Sequence, residues 1–224
     1  MTYVSIFDGK FEVKVKEGTP NSVSRVNKDG KTIHALIYKD VSGVIVDIKK
    51  EIKEHQGKKF SSMNIFLESP SGMGVLSLPY NSGTTSAFYH MIENVDLNKP
   101  VVFSASKDKE KDKTSLFMSQ DKENVKWKYT KAWGEANPHL PQKPQWKQVT
   151  VKGELVWDNT DEVLFFENIM KTKILPVLRA KKEQAETTPA DDFAKDNNVQ
   201  QPAAQVQPPV ADVTTTPDLS DVPF

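Results

Sequence analysis

The last 41 residues of this chain cannot help to build a hydrophobic core, and that confines any fold to what precedes them. Residues 184–224 hold six Pro, five Gln and six Ala, with no Gly and no Cys. A stretch with so little apolar surface cannot offset the entropy of ordering it, so it is expected to be disordered. Runs such as QPAAQVQPP bias it toward extended conformations and lengthen its reach. Residues 1–182 remain, enough for one substantial domain. A linker over 183–212 and an acidic tip over 213–224 complete the expected organisation.

The formal net charge of zero hides a division between these parts. Residues 184–224 carry one Lys (Lys195) against seven acids, a net −6, which leaves +6 on the body. A basic body tied to an acidic tail suits a nucleic-acid binder whose tail competes for the same surface. A tail that only keeps the protein in solution accounts for the charges equally well. Without Cys there is no disulfide framework and no thiolate metal site, which fits a reducing compartment. No apolar run approaches the ~20 residues of a membrane span, and MTYVSIFDGK has no signal-peptide core. A soluble, cytoplasmic protein with no membrane role is expected.

The body reads mainly as strands. Residues 2–7 and 11–16 flank Asp8-Gly9, a strong hairpin signal, and FEVKVK alternates cleanly. Asp29-Gly30 precedes a strand over 31–38, and further strands are predicted at 43–52, 60–69 and 73–80. Phe88, Met91, Ile92 and Val95 recur at helical spacing in residues 85–95. Strands resume at 100–106, 115–120, 124–133 and 146–157. A last helix starts near Asn159, with Asp161 and Glu162 in its first turn and Val163, Phe166, Met170, Ile174 and Val177 along its apolar face. Pro176 should kink or end it. Strands, a helix, more strands and a closing helix match a β-rich α+β fold. An oligonucleotide-binding (OB) barrel with an inserted helix is expected, and a sandwich or open sheet gives much the same order.

Binding single strands without sequence preference needs cations for phosphates and aromatic faces for bases. The segment KENVKWKYTKAWGEANPHLPQKPQWKQ is dense in both. As a strand, 124–133 would place Trp127, Tyr129, Lys131 and Trp133 on one face and Lys126 and Lys128 on the other. Any half-buried strand shows the same alternation, so core packing competes with stacking for each ring. The Pro-rich loop 134–145, ending near Lys143, Trp146 and Lys147, could wall a groove. Lys58, Lys59 and Phe60 form a second basic group at a strand entry. KDKEKDK at 107–113 is nearly neutral and reads as a solvated turn, while Lys49, Lys50 and Lys53 mark the solvent end of an apolar strand.

Catalytic signals are sparse. The four histidines (34, 55, 90, 139) are too dispersed for an H-x-x-x-H metal pair. No phosphate-loop, dinucleotide or nucleophile-elbow motif is present, and carboxylates are not paired as a two-metal nuclease would require. A non-enzymatic protein without metal or cofactor is expected.

The chain ends TPDLSDVPF, so Asp218, Leu219, Asp221 and Val222 lead into Pro223-Phe224. An aromatic ring and a free α-carboxylate behind two Asp suit a greasy pocket rimmed by Lys or Arg. This tip resembles the C-terminal tip of bacterial and phage single-stranded DNA-binding proteins. The resemblance covers these nine residues closely and the whole tail in architecture. Only two acids stand near the end, fewer than is usual in the bacterial proteins, and the body does not show the bacterial core domain. A divergent phage-encoded member, working in host cytoplasm, is the expectation. The resemblance implies protection of single-stranded DNA in replication, recombination and repair. It also implies recruitment of a polymerase, helicase, primase or nuclease through Asp218, Leu219, Asp221, Val222, Pro223 and Phe224. Self-association into a homo-oligomer stays open. Competing readings are a β-rich virion structural or scaffold protein with no nucleic-acid role, and an accessory subunit of a polymerase or nuclease.

Overall fold

The computed structural model describes residues 1–27, 29–55, 57–108, 110–130 and 139–187. Asp8 and Gly9, both at positive φ (50° and 73°), turn β1 (Thr2–Phe7) back onto β2 (Lys10–Val15). This two-residue turn carries the twist that the flanking strands need. β3 (Val23–Val26) and β4 (Thr32–Tyr38) form a hairpin whose turn is organised by Asn27. Its side-chain oxygen accepts from the backbone N–H groups of Asp29 and Lys31. β5 (Asp40–His55) and β6 (Lys58–Ser69) make a long ribbon, and β7 (Gly72–Pro79) returns beside β6. Then follows α1 (Gly83–Ile92), capped by Ser82, whose hydroxyl accepts from the Thr85 N–H at 3.2 Å.

β8 (Val101–Asp108), β9 (Lys113–Gln120) and the short β10 (Glu123–Asn124) extend the sheet beyond β5. β11 (Lys147–Val151) and β12 (Glu154–Asp158) pair only with each other among the described residues. The chain closes with α2 (Thr160–Ile169), a π-helical turn over Met170–Ile174, and α3 (Leu175–Thr187). No helix among the described residues is long and apolar enough to cross a membrane.

The fold is mainly β, with a ten-stranded mixed sheet in the order β10-β9-β8-β5-β6-β7-β1-β2-β4-β3. Only the β1–β7 pairing is parallel among the described strands. One face of the sheet carries the core. Register aligns Ile48, Ile65, Leu76 and Val4 across four strands, and α1, α2 and α3 supply Phe88, Ile92, Phe166, Ile169 and Leu178. Burying such side chains contributes roughly 1.5–3 kcal/mol each.

The sheet does not close into the expected barrel. β2 comes up against β8 so tightly that a Cβ on Gly9 would stand 2.4 Å from the Lys107 nitrogen, and Lys107 pairs with Asp8 at 2.8 Å. β8 pairs with β5 only through Val101–Ser104, so its β5 edge beyond Ser104 is open where the Asp8-Gly9 turn approaches it. No ladder joins β2 to β8 among the described strands, and the sheet stays open.

Two other expectations change. Of the strand expected over 124–133, residues 125–130 are not in a strand, and Lys131 to Trp133 lie outside the described residues. Asn94 of α1's C-terminal turn donates to the Lys126 carbonyl, and the Lys128 N–H donates to that of His90, so helix ends take the place of a neighbouring strand. At the C-terminus Pro176 does not stop the helix. The π turn just before it, with the Leu175 N–H bonded to the Met170 carbonyl, widens the backbone where the proline cannot donate. The helix runs past Lys182 to Thr187, so the compact unit spans Met1–Thr187.

Candidate nucleic-acid interface

The sheet face opposite the core presents aromatic rings among cations. Strand alternation puts Lys49, Asn64, Ser77, Ser5 and Glu12 in one row across β5, β6, β7, β1 and β2. The next row runs Asp47, Phe66, Val75, Tyr3. Further along the β5–β6 ribbon, Lys53 stands opposite Phe60 on the same face.

Tyr3 and Phe60 are 55% and 56% exposed, high values for rings on an ordered sheet. Lysines attend the aromatics: Lys49 lies 5.1 Å from the Phe66 ring centre and Lys53 5.9 Å from that of Tyr3. At the other end the Arg25 guanidinium sits 3.6 Å over Phe7 and bonds Glu12 through two nitrogens, at 2.7 and 3.1 Å. A groove of about 470 Å³ follows Tyr3, Ser5, Lys14 and Ser77.

The lysines of this face are held in place by carboxylates. Lys49 pairs with Asp47 at 3.0 Å and Lys53 with Glu51 at 3.1 Å. Glu51 also accepts from Asn64 at 2.8 Å, and the Lys53 and Asn64 bonds hold its carboxyl below the usual range. A phosphate arriving here would take over a lysine from a carboxylate on the same strand. The face can therefore stack bases and bind a backbone, but the described residues include no His/Asp/Glu group able to hold a metal.

Part of this candidate surface coincides with the basic group expected from the sequence. Lys58, Lys59 and Phe60 are all exposed at the start of β6, as a strand entry requires. Nothing in the sequence separates Tyr3, Phe7, Phe66, Lys49 and Lys53 from ordinary strand residues. The alternation of TYVSIF places Tyr3, Ser5 and Phe7 on one side, but alternation does not say which side is covered.

The densest sequence candidates lie against the helices instead. Tyr129 is buried, its hydroxyl donating to Glu93 and its ring against Phe165 and Phe166, so it is a core residue and cannot stack on a base. Burial and then the Glu93 bond raise its pKa. Trp127 is half-buried, 4.4 Å from the His90 ring. Lys126 is exposed and Lys128 half-buried. Lys143 is buried in an ion pair with Glu162, which also accepts from the Trp146 indole N–H. That lysine is unavailable to a phosphate. Lys147 is exposed and paired with Asp161 at 2.5 Å. The tip residues Asp218 to Phe224 lie outside the described residues.

A second polar cluster joins the sheet to α2. The Tyr80 hydroxyl donates to Glu167, Lys50 reaches Glu167 at 3.0 Å, and Tyr89 donates to Tyr80 at 3.3 Å. Lys50 also lies 4.0 Å over the Tyr80 ring. Burial first, then the Glu167 bond, raises the Tyr80 pKa, while the Tyr80 and Lys50 bonds lower that of Glu167. Its groups are mutually satisfied, which marks a structural tie rather than a reactive site. Compared with protein-family models, with curated proteins and with solved structures, the chain matches none.

Proposed function

We propose that this protein binds single-stranded DNA without sequence preference, along the sheet face that carries Tyr3, Phe60 and Phe66. The observation that carries the reading is the pairing of rings with cations on the sheet face opposite the core: exposed Tyr3 with Lys53, and half-buried Phe66 with Lys49 where α3 comes alongside. Rings stack bases of any identity, and cations follow the backbone, so the combination favours strand binding over sequence readout. The placement of α1 between β7 and β8, and the curl that brings β2 against β8, support an OB-like relationship. The tip, with Asp218, Leu219, Asp221, Val222, Pro223 and Phe224, is read as a recruiting peptide for a replication or recombination protein, in host cytoplasm.

Fluorescence anisotropy of labelled oligo-dT tests the reading. Saturable binding at low salt is expected, with log Kd rising against log salt by about 0.7 per phosphate neutralised. No binding at low salt, or a salt-independent Kd, would overturn it.

A further inference from the structure

β5 pairs with β8 only through Asp40–Gly43, while its pairing with β6 continues to His55. From Val44 onward its outer edge has no strand partner among the described residues. The Ile48 N–H points to that edge, where the Asp47 carboxylate accepts it at 2.8 Å. Residues two apart share this direction, so Lys50, Ile52 and Glu54 also turn their backbone groups outward. Lys50, Ile52, Lys53 and Glu54 are exposed, Ile52 to 62%. Natural sheets guard such edges with charge. Here the charges are arranged so that the edge complements itself.

We propose that this edge pairs antiparallel with the same edge of a second copy, centred on Ile52. In that register Ile52 meets Ile52, Lys50 meets Glu54, and Glu51 meets Lys53, each contact occurring twice about the two-fold axis. These contacts join the Lys50–Glu167 and Lys53–Glu51 pairs that each copy already holds. Shifting this register by one or two residues either way sets like charges opposite each other: Lys50 against Lys53, Glu51 against Glu54, or Glu51 or Lys53 against its own copy. The outward groups of Lys50, Ile52 and Glu54 exchange hydrogen bonds with Glu54, Ile52 and Lys50 of the partner copy. Pairing ends at Ile48, whose N–H is already taken by Asp47. So short a ribbon buries less than a permanent dimer does, so the association is concentration-dependent, in the micromolar range or weaker. It stands independently of any nucleic-acid role.

Sedimentation velocity of the full chain, from about 1 to 300 µM, reads the proposal directly. A shift from one to two chain masses is expected. Ile52→Pro removes an N–H that β6 does not use, so the ribbon keeps its internal bonds and the dimer should be lost. Glu51→Lys and Lys53→Glu each place two like-charged pairs across the axis and should weaken self-association roughly tenfold or more. Mixing those two variants restores both pairs, so the mixture should dimerise where neither does alone. Thermal melts of each variant confirm that it is folded. A wild-type chain that stays monomeric throughout, a dimer that survives Ile52→Pro, or a mixture that fails to recover overturns the proposal.

Discussion

Lys143 and Glu162 form an ion pair with side chains only 1% and 6% exposed, and the Trp146 indole completes the bonding of the carboxylate. Removing one member leaves the other charge buried and uncompensated. Lys143→Met should cost roughly 3 kcal/mol of stability, since breaking a buried pair from one side is far more damaging than replacing both partners. Replacing Glu162 by Leu in the same chain should recover part of the loss. Urea unfolding of the three chains measures this, and a single-variant loss under ~1 kcal/mol would show the pair to be dispensable.

His90 is buried between Trp127 and Phe166, with Nδ1 2.8 Å from the Ser86 carbonyl. Its Nε2 lies near the Thr130 backbone without a hydrogen bond of ordinary geometry. Burial, opposed in part by the Ser86 bond, lowers its pKa; Lys143 lowers it further and Glu162 opposes. The unfolded chain therefore binds the proton more readily, at about pH 6.5. The contribution is complete above that pH and is lost as pH falls from 6.5 toward the folded pKa, by at most ~1.4 kcal/mol per unit. His90→Phe should flatten this part of the curve. Urea midpoints at pH 7.5 and 5.0 that fall equally in both proteins would remove His90 from the account.

On the open sheet face, Tyr3→Ala and Phe60→Ala should each weaken oligo-dT binding by about 5- to 150-fold, the usual value of one stacked base. Lys53→Ala should lower the salt slope by roughly 0.7. Anisotropy titrations at several salt concentrations separate the two effects. Unchanged affinity in both ring variants would move the site elsewhere.

Deleting residues 213–224 removes Asp218, Asp221 and the terminal Phe224. If the tail competes with DNA for the basic body, the truncated chain binds oligo-dT more tightly at low salt, and the gain fades as salt screens both. Pull-down of replication enzymes should be lost together with the tip. Equal affinity at every salt concentration argues that the tail acts only on partners.

Much of the sheet was legible because hairpins announce themselves. Asp8-Gly9 fixed the first turn, and Phe88, Met91 and Ile92 marked the buried side of α1. The segment after Asn124 misled because its alternation records which residues are buried, not what covers them. Tyr129 is indeed an inward residue, but α1 and α2 receive it, and its neighbours Lys128 and Thr130 donate their backbone N–H groups to the His90 and Pro141 carbonyls. The open face escaped notice for the converse reason. Tyr3 and Phe60 look like core residues in sequence, and only the placement of all the helices on the other side leaves them exposed.

The π turn at Met170–Ile174 has an arithmetic consequence. It inserts extra backbone into the winding of the last helix, so Leu178 points inward while Val177, on the face predicted to be apolar, is 46% exposed. A point substitution within the turn leaves that phase untouched. Deleting the exposed Thr172 would remove that extra residue and let the turn relax into ordinary α-helix with Leu178 still facing inward. Deleting a residue of α2 would instead rotate everything beyond it by about 100°. Leu178 would then leave the core without any of its own atoms being changed. At this place the molecule depends on how many residues there are more than on which ones.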